Sequence, residues 1–230
     1  MACLVGGACS SSGTTSAPSS SSSERPSEGA AGIGDPYFPT LGNGGYDVAH
    51  YDLELKVDPT SGAIEATATI GARAGQPLTR FDLDLRDLTV GSVTVDGAKA
   101  KFEHRGGELV ITPAATIDDG AVFTTAVTYE GIPRAIDTRA VDGVQVGWRH
   151  DDDGVVVMSE PDGASTWFPG NDHPRDKATF TVHVTVPAGM QVVANGTLRS
   201  TETTPAGVRW TYGQDDPMAT YLATVLIGHL

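Results

Sequence analysis

An alternation of apolar and polar residues constrains this chain more than any other feature. In the stretch YDVAHYDLELKV at 46–57, Leu53, Leu55 and Val57 alternate with charged residues. A period of two residues is typical of a β-strand with one buried face and one face in water. No window of 12 or more residues has a convincing 3.6-residue period, which an amphipathic helix would show. The sequence therefore predicts an all-β fold.

Turn sequences divide the chain into short strands. The segment DPTSG at 58–62 separates the first two strands, which are predicted to form a hairpin. Similar breaks recur every 8–12 residues, a spacing typical of antiparallel sandwiches. The predicted domain is a bent, saddle-like antiparallel β-sandwich of short strands. Strands are predicted at 46–57, 63–72, 80–85, 88–95, 108–112, 122–129, 154–159, 178–186, 191–194, 208–212 and 220–227.

The first 34 residues have a different composition. Residues 1–9 are small and apolar, and residues 10–34 are almost all Ser, Gly, Ala, Thr and Pro. Such a segment buries too little apolar surface to offset the entropy of ordering. It is predicted to be a disordered tail in front of one β domain at 36–230.

The tail also resembles the processing region of a bacterial lipoprotein. A short apolar start, Cys9 and a Ser-rich tether predict a lipid on Cys9. The alternative is a disordered tail with two incidental thiols, Cys3 and Cys9. Together with the cysteine-free body and the acidic surface, the tail predicts an extracytoplasmic location, secreted or anchored to a membrane.

Charge and composition argue against several classes of function. The 29 acidic and 15 basic residues give a net charge of −14, which opposes binding to nucleic acid and to anionic lipid. No apolar run approaches the roughly 20 residues that span a bilayer. Both cysteines lie within the first ten residues, so the body has no disulfide, Cys-ligated metal or cysteine nucleophile.

Catalytic motifs are absent from the body. None of the six histidines is followed by Glu, and no two lie four residues apart, so the His-Glu-x-x-His zinc motif does not occur. There is no Gly-x-Ser-x-Gly elbow and no Gly-rich phosphate loop. A composite metal site is conceivable, but a solvated acidic turn is the favoured interpretation. Its ligands would be His150, Asp151, Asp152, Asp153 and His173.

Other polar side chains are predicted to face solvent. Asp82 and Asp84 share one face of a strand whose other face is apolar, so both carboxylates are predicted to lie in water. His183 shares a strand face with threonines and is also predicted to be exposed. His50, in the middle of a strand, is predicted to be a packed or edge residue.

A long loop is the strongest candidate for a functional site. About 20 residues between the strands at 154–159 and 178–186 are dense in Trp, Phe, Pro, Asp and His, and ordered loops of this length are often functional. Glu160 enters the loop after an apolar strand, beside Pro161, which favours an extended conformation before it. A carboxylate there, next to Trp167 and Phe168, could bind a cation, although an exposed Glu is ordinary.

A set of motifs around this loop is shared with a known family. Glu160 is followed by FPGNDHP at 168–174, KATFTV at 177–182 and VPAGM at 186–190. The opening at 45–53 and the segment MATYLA at 218–223 also match, so that the likeness covers about residues 36–230. On these motifs the chain resembles the N-terminal domain of the aminopeptidase N-like zinc aminopeptidases, which include leukotriene A4 hydrolase.

The resemblance implies a domain that caps one side of a peptidase cleft. It implies that Glu160 holds the free α-ammonium of a peptide, in a charge-assisted contact. The family's Gly-x-Met-Glu-Asn and His-Glu-x-x-His motifs do not occur in this chain, so zinc is expected in a missing catalytic domain. We therefore expect a truncated or separately expressed part of a metallo-aminopeptidase, a hydrolase that removes N-terminal amino acids, with no activity alone.

Two functions of other classes compete with this interpretation. The first is a stand-alone secreted β-sandwich that has a binding or structural role and no catalytic activity. DNA downstream of Leu230 that encodes His-Glu-x-x-His would favour the peptidase. The second is a carbohydrate-binding sandwich that uses Trp148 and Trp167, which would have to be exposed on a sheet face.

Overall fold

The fold is built almost entirely of strands. The computed structural model of the protein describes residues 27–138 and 140–229. Within these ranges the helical structure consists of two short 3-10 turns, Ala164–Thr166 and Thr220–Leu222. The all-β prediction is confirmed. The strands are β1 (Ser27–Glu28), β2 (Tyr46–Asp58), β3 (Ala63–Ala74), β4 (Leu78–Asp84), β5 (Thr89–Val95), β6 (Ala98–Lys99), β7 (Lys101–Arg105), β8 (Glu108–Thr112), β9 (Val122–Gly131), β10 (Ile136–Asp137), β11 (Gln145–Asp151), β12 (Gly154–Met158), β13 (Lys177–Val186), β14 (Gln191–Ala194), β15 (Thr197–Thr204), β16 (Gly207–Ala219) and β17 (Val225–Gly228).

The described strands form three sheets. The largest has eight strands in the order β15-β16-β13-β2-β3-β9-β5-β6, the second has five in the order β10-β11-β12-β17-β14, and the third has four in the order β1-β4-β8-β7. Two pairs are parallel, β2 with β13 and β1 with β4, so the sheets are mixed and not wholly antiparallel as predicted. A parallel pair needs a long crossover, and the many strands between β2 and β13 provide it.

A common apolar core joins the three sheets. The predicted hairpin of β2 and β3 is present, with Leu53 opposite Ala68 and Leu55 opposite Ala66. Along β2 the alternation predicted from the sequence is seen directly, because its leucines are buried and Glu54 is exposed. The buried side of this hairpin packs in the same apolar cluster as residues of the other two sheets, such as Phe81.

Several strands differ from the sequence prediction. The strands β7, β11 and β15 were not predicted, because their sequences are polar or interrupted by glycine and alternate weakly. The strand predicted at 220–227 is shorter, since Thr220–Leu222 forms a 3-10 turn. The Thr220 hydroxyl donates a hydrogen bond to Asp172 Oδ1 at 2.7 Å, which holds this turn against the long loop.

Ordered structure begins before the predicted boundary near residue 35. Ser27 and Glu28 pair in parallel with β4, and the Gly44 amide donates to the carbonyl of Ala30 at 2.8 Å. Residues 27–34, assigned to the tail from composition, therefore lie on the domain. Backbone pairing with a sheet edge satisfies amide and carbonyl groups, and it requires no apolar side chain.

The remainder of the tail, with Cys3 and Cys9, lies outside the described residues. The division into a disordered tail and one domain stays a prediction. Within the described ranges, no helix has the length and apolar character needed to cross a bilayer.

Candidate functional site

The long loop between β12 and β13 packs into the domain. All residues from 162 to 173 are buried. Trp167 lies at the centre of this packing, with its ring centroid 4.6 Å from that of Phe168 and 6.2 Å from that of Trp148 on β11. Both tryptophans are buried, so neither can form the exposed aromatic platform that the carbohydrate-binding alternative requires, and that alternative is wrong.

Asn171 connects the loop to β2, to the segment before β2 and to the loop's own end. Its backbone N–H donates to Tyr51 Oη at 2.9 Å, and its Oδ1 accepts from the Asn43 amide at 2.6 Å. Its Nδ2 donates to the Asn43 carbonyl at 3.0 Å and to Asp176 Oδ2 at 2.5 Å. The side chain therefore uses both its carbonyl and its amino group inside the protein.

Two buried carboxylates hold the other side of the loop. Asp84 Oδ2 accepts from the backbone N–H of Asp172 at 2.8 Å and from Asn43 Nδ2 at 3.1 Å. The Asp84 backbone also exchanges two hydrogen bonds with Gly170, at 2.7 and 3.1 Å. Asp172 in turn accepts from the Ser165 amide at 3.0 Å. Strand β4 and the loop are thus bonded through main chain and side chain together.

The prediction that Asp82 and Asp84 face water is wrong. Both are buried, although in the sequence they alternate with the apolar residues Phe81, Leu83 and Leu85, as in a strand with one face in water. Alternation shows which residues share a face, but not whether another segment covers that face. Here the loop and the segment at 42–43 cover the polar face at Asp84.

Burial raises the pKa values of the acidic groups around this loop. Desolvation raises the pKa of Asp84 well above its ordinary value, and the nearby charge of Asp172 adds to the shift. Desolvation likewise raises the pKa of Asp172. The pKa values of Glu108 and Asp176 are raised to about 7, in both cases mainly by desolvation. These groups bind protons more tightly in the folded chain than an unfolded chain would.

We therefore expect the free energy of unfolding to fall as pH rises from about 4.5 to about 8. In the unfolded state these carboxyl groups have ordinary pKa values near 4. Above pH 4 the folded state therefore binds more protons than the unfolded state, and its stability falls as pH rises. The stabilising contribution is lost once the folded groups also ionise. Urea unfolding at pH 5, 6, 7 and 8 measures the slope.

Glu108→Gln provides the specific check on this pH dependence. It should flatten the slope between pH 6 and 8, whereas Glu130→Gln, at an exposed position on β9, should leave it unchanged. Stability that rises over this range, or equal slopes for both variants, would contradict the assignment.

Glu160 lies at the exposed edge of this framework. Exposure alternates beyond the end of β12: Val156, Met158 and Glu160 are exposed, whereas Val157 and Ser159 are buried. The Glu160–Pro161 peptide bond is cis. Among the described residues, no side chain or backbone group forms a hydrogen bond or ion pair with the Glu160 carboxylate.

The residues that follow Glu160 fix its position. The Gly163 amide donates to the Ser159 carbonyl at 2.8 Å, and Thr138 Oγ1 donates to Asp162 at 2.7 Å. An unpartnered carboxylate is therefore presented to solvent from a strand end that is bonded on both sides.

The structure places the other candidate residues elsewhere. His150 Nε2 lies 2.7 Å from the Pro59 carbonyl, and the acidic residues 151–153 are exposed. His173 is buried, with its Nε2 3.1 Å from Asp35 Oδ2. The composite site is therefore not assembled by these contacts. Among the residues that the structure describes, no three His, Cys, Asp or Glu side chains are placed to hold a metal ion.

Two histidines on the large sheet are hydrogen-bonded. His183 was predicted to be exposed, but only 17% of its side chain is accessible, and its Nδ1 lies 3.0 Å from Thr211 Oγ1 on the adjacent β16. The neighbouring strand covers the ring, so this prediction is wrong. His50 Nδ1 lies 2.7 Å from Thr179 Oγ1, as expected for a packed position.

Comparison with known proteins assigns this arrangement to a family. The family described as Peptidase M1 N-terminal domain matches residues 48–222. The chain belongs to this family. The assignment confirms the resemblance stated from the motifs around Glu160 and the loop. The His-Glu-x-x-His zinc motif does not occur in the sequence of this M1 N-terminal domain.

Solved and curated relatives agree with the assignment. An M1 zinc metallopeptidase from Deinococcus radiodurans is 31% identical, with a TM-score of 0.80 over 86% of this chain and 45% of that one. A mutant of the same enzyme bound to a Tyr-Ser-Ala substrate gives the same values. Leukotriene A-4 hydrolase of Xenopus laevis is 24% identical over 196 residues, which are 80% of this chain and 32% of that protein. The M1 N-terminal domain described here thus spans less than half the length of these relatives.

Sequence reasoning found the loop of this M1 N-terminal domain but missed the residues that hold it. Asn43, Asp84 and Thr220 come from three distant segments and bond to the loop. The density of Asp and Asn between two prolines, at 169–174, was the available signal. It could not show which distant groups those side chains would meet.

Proposed function

We propose that this chain is the substrate-capping part of a zinc metallo-aminopeptidase, and that Glu160 binds the α-ammonium of the peptide. The observation that carries the proposal is the exposed, unpartnered carboxylate at the end of β12, on a loop that is otherwise buried and bonded. Related M1 zinc metallopeptidases have been solved with Tyr-Ser-Ala, L-arginine or L-tryptophan bound. All three have an α-amino group, which a carboxylate recognises.

The physical basis is a charge-assisted hydrogen bond. A carboxylate that meets an ammonium in a partly dry cleft gains about 1.5–3 kcal/mol. The burial of Ser159 and the bond from Thr138 to Asp162 reduce the freedom of the backbone on both sides of Glu160. Less ordering entropy is then lost when the substrate binds.

Zinc and the group that activates water would belong to the remainder of such an enzyme. We infer for this chain a role in binding and orientation, with bond cleavage outside it. We further propose that the protein acts outside the cytoplasm, held by a lipid on Cys9; the apolar start and the Ser-rich tether support this proposal.

The experiment joins this chain to the catalytic part of the Deinococcus radiodurans enzyme, in place of that enzyme's own N-terminal part. Glu160→Ala in this chimera is expected to lower kcat/KM for a free-amine substrate by about 10- to 100-fold. Glu160→Gln should lose less, because an amide oxygen still accepts from the ammonium. An N-acetylated substrate has no ammonium, so its slow turnover should not change.

The matched control is Glu130→Ala, at an exposed position on β9, which should leave kcat/KM unchanged. Equal free-amine activity of wild type and Glu160→Ala would refute the assigned role. Unfolding of Glu160→Ala alone would instead identify a structural carboxylate.

A further inference from the structure

Basic side chains are unevenly distributed over this acidic protein. The chain has 15 basic and 29 acidic residues, yet Arg80, Lys99, Lys101 and Arg105 line a single surface groove of about 600 Å³. Arg80 lies on β4, Lys99 on β6, and Lys101 and Arg105 on β7. We call these four residues the basic groove. More than a quarter of the basic residues are therefore concentrated in one place.

Much of this positive charge is free to bind an anion. Lys99 and Lys101 are exposed, and neither ammonium forms a hydrogen bond or an ion pair within the part of the chain that the structure describes. Arg105 is ion-paired with Glu103, but both side chains are exposed. Exposed ion pairs contribute little free energy, so an external anion can replace Glu103 at low cost.

The described chain enters the domain beside the basic groove. Ser27 and Glu28 form β1, which pairs in parallel with β4. The Ser27 amide donates to the Pro77 carbonyl at 2.9 Å, and Glu28 Oε2 lies 2.8 Å from Arg80 Nη2. The segment that precedes Ser27 is therefore attached to the domain at the rim of the groove.

We propose that the basic groove contacts the anionic surface of the membrane to which the chain is anchored. The anchor itself rests on the lipid on Cys9 proposed above. Cys9 precedes Ser27 by 18 positions, and the coil predicted from the composition of this segment would span about 25 Å. A lipid on Cys9 holds the side of the domain that contains β1 and the basic groove close to the bilayer.

The net charge of −14 opposes membrane binding by the free chain, but it does not prevent a tethered contact. Charges are screened over about 8 Å at physiological ionic strength, so acidic residues on distant strands contribute little once the groove faces the headgroups. Each Lys or Arg near an anionic membrane surface adds to the attraction. A basic patch is also a common second signal beside a single acyl chain, which alone binds only marginally.

An acidic protein, such as a second copy of this chain, would suit the charge of the groove equally well. Such a partner in solution has no relation to the place where the chain enters the domain. The membrane accounts for both observations, because the lipid would bring the bilayer to the same side as the groove. We therefore favour the membrane, and self-association becomes one outcome of the test.

Lysine acetylation can test the contact directly, because the chain has four lysines. Lys99 and Lys101 lie in the basic groove, whereas Lys56 on β2 and Lys177 on β13 are exposed elsewhere. Mass spectrometry measures the acetylation rate of each lysine, so Lys56 and Lys177 act as internal controls for access of the reagent.

The full chain with Cys3→Ser is coupled through Cys9 to a maleimide lipid in vesicles. One set of vesicles contains phosphatidylglycerol and phosphatidylcholine, and the other contains phosphatidylcholine alone. On the anionic vesicles, Lys99 and Lys101 should react at least about 5-fold more slowly relative to the two control lysines than they do in the free chain. High salt should remove this protection, since it screens the attraction.

Two charge-matched double variants measure the contribution of the groove to membrane affinity. Lys99→Glu with Lys101→Glu changes the basic groove, and Lys56→Glu with Lys177→Glu changes the net charge by the same amount elsewhere. All four side chains are exposed, so both double variants should melt at nearly the wild-type temperature. With a single acyl chain on Cys9, the groove variant should bind anionic vesicles at least about 10-fold more weakly than the control variant.

Equal acetylation of all four lysines on the anionic vesicles would overturn the proposal. Equal losses of affinity by the two double variants, or the same protection on phosphatidylcholine alone, would also overturn it. Protection of Lys99 and Lys101 that rises with protein concentration in the absence of vesicles would replace it with self-association.

The anchor and the membrane contact can fail separately. Because Cys9 is coupled chemically, the vesicle experiments do not depend on lipidation in the cell. Mass spectrometry of Cys9 from the native host tests the lipid itself. An unmodified Cys9 thiol would refute the anchor, and with it a membrane contact in the cell, even where the groove binds anionic vesicles. A lipid on Cys9 without protection of Lys99 and Lys101 would retain the anchor and refute the contact.

Discussion

Asn171→Ala is expected to lower the free energy of unfolding by about 3–6 kcal/mol, because several buried groups each lose a hydrogen-bond partner at a cost of about 1–3 kcal/mol. The Asn43 amide and carbonyl and the Asp176 carboxylate all lose a hydrogen bond to this side chain. None of these groups can form a replacement hydrogen bond with water unless the loop opens, since Asn43 and Asp176 are buried. The loop between β12 and β13 should therefore become the first part of the domain to open.

Asn195→Ala is the matched control for this substitution. Asn195 forms two side-chain hydrogen bonds, to the Leu222 carbonyl at 3.0 Å and from the Thr224 amide at 2.7 Å, where the Asn171 side chain forms three, and those of Asn195 lie in an exposed setting. Water can replace both, so a loss of about 1 kcal/mol or less is expected. Urea unfolding compares the two variants, and hydrogen exchange of the loop amides locates the opening. Losses of equal size would show that the buried network does not hold the loop.

The sequence predicted the location of the loop because its composition departs from the strands around it. A connection of about 20 residues without a strand of its own is uncommon in a compact domain. The hairpin of β2 and β3 was equally predictable. Leu53 and Leu55 alternate with charged residues, and a clear turn sequence at 58–62 separates them from the next alternating segment. Both features are local, and a single segment contains the information for each.

The residues that hold the loop were not predictable in the same way. Asp84 has the sequence context of a solvent-facing strand residue, yet it accepts hydrogen bonds from Asn43 and Asp172, 41 and 88 positions away. Only the three-dimensional fold brings these segments together.

Trp167 links the stability of the loop to the position of Glu160. Its indole is fully buried against Trp148 and Phe168. Its Nε1 has no hydrogen-bond partner among the described residues, so the side chain acts through packing. It follows Glu160 by seven positions in the sequence, and the turn between them is bonded to Thr138 and Ser159. A cavity at Trp167 should therefore loosen the support beneath the carboxylate.

Trp167→Ala is expected to lower the free energy of unfolding by about 3–5 kcal/mol, the usual range for a large buried aromatic residue replaced by Ala. Trp210→Ala provides the control, because Trp210 on β16 is only partly buried at the edge of the core and should lose about 1–2 kcal/mol. In the chimera, at a temperature where the variant stays folded, Trp167→Ala should also raise KM for a free-amine substrate. Trp210→Ala should not raise it, since Trp210 lies on another sheet. If Trp167→Ala loses the expected stability but leaves KM unchanged, the packing around Trp167 supports folding only, and β12 itself positions Glu160.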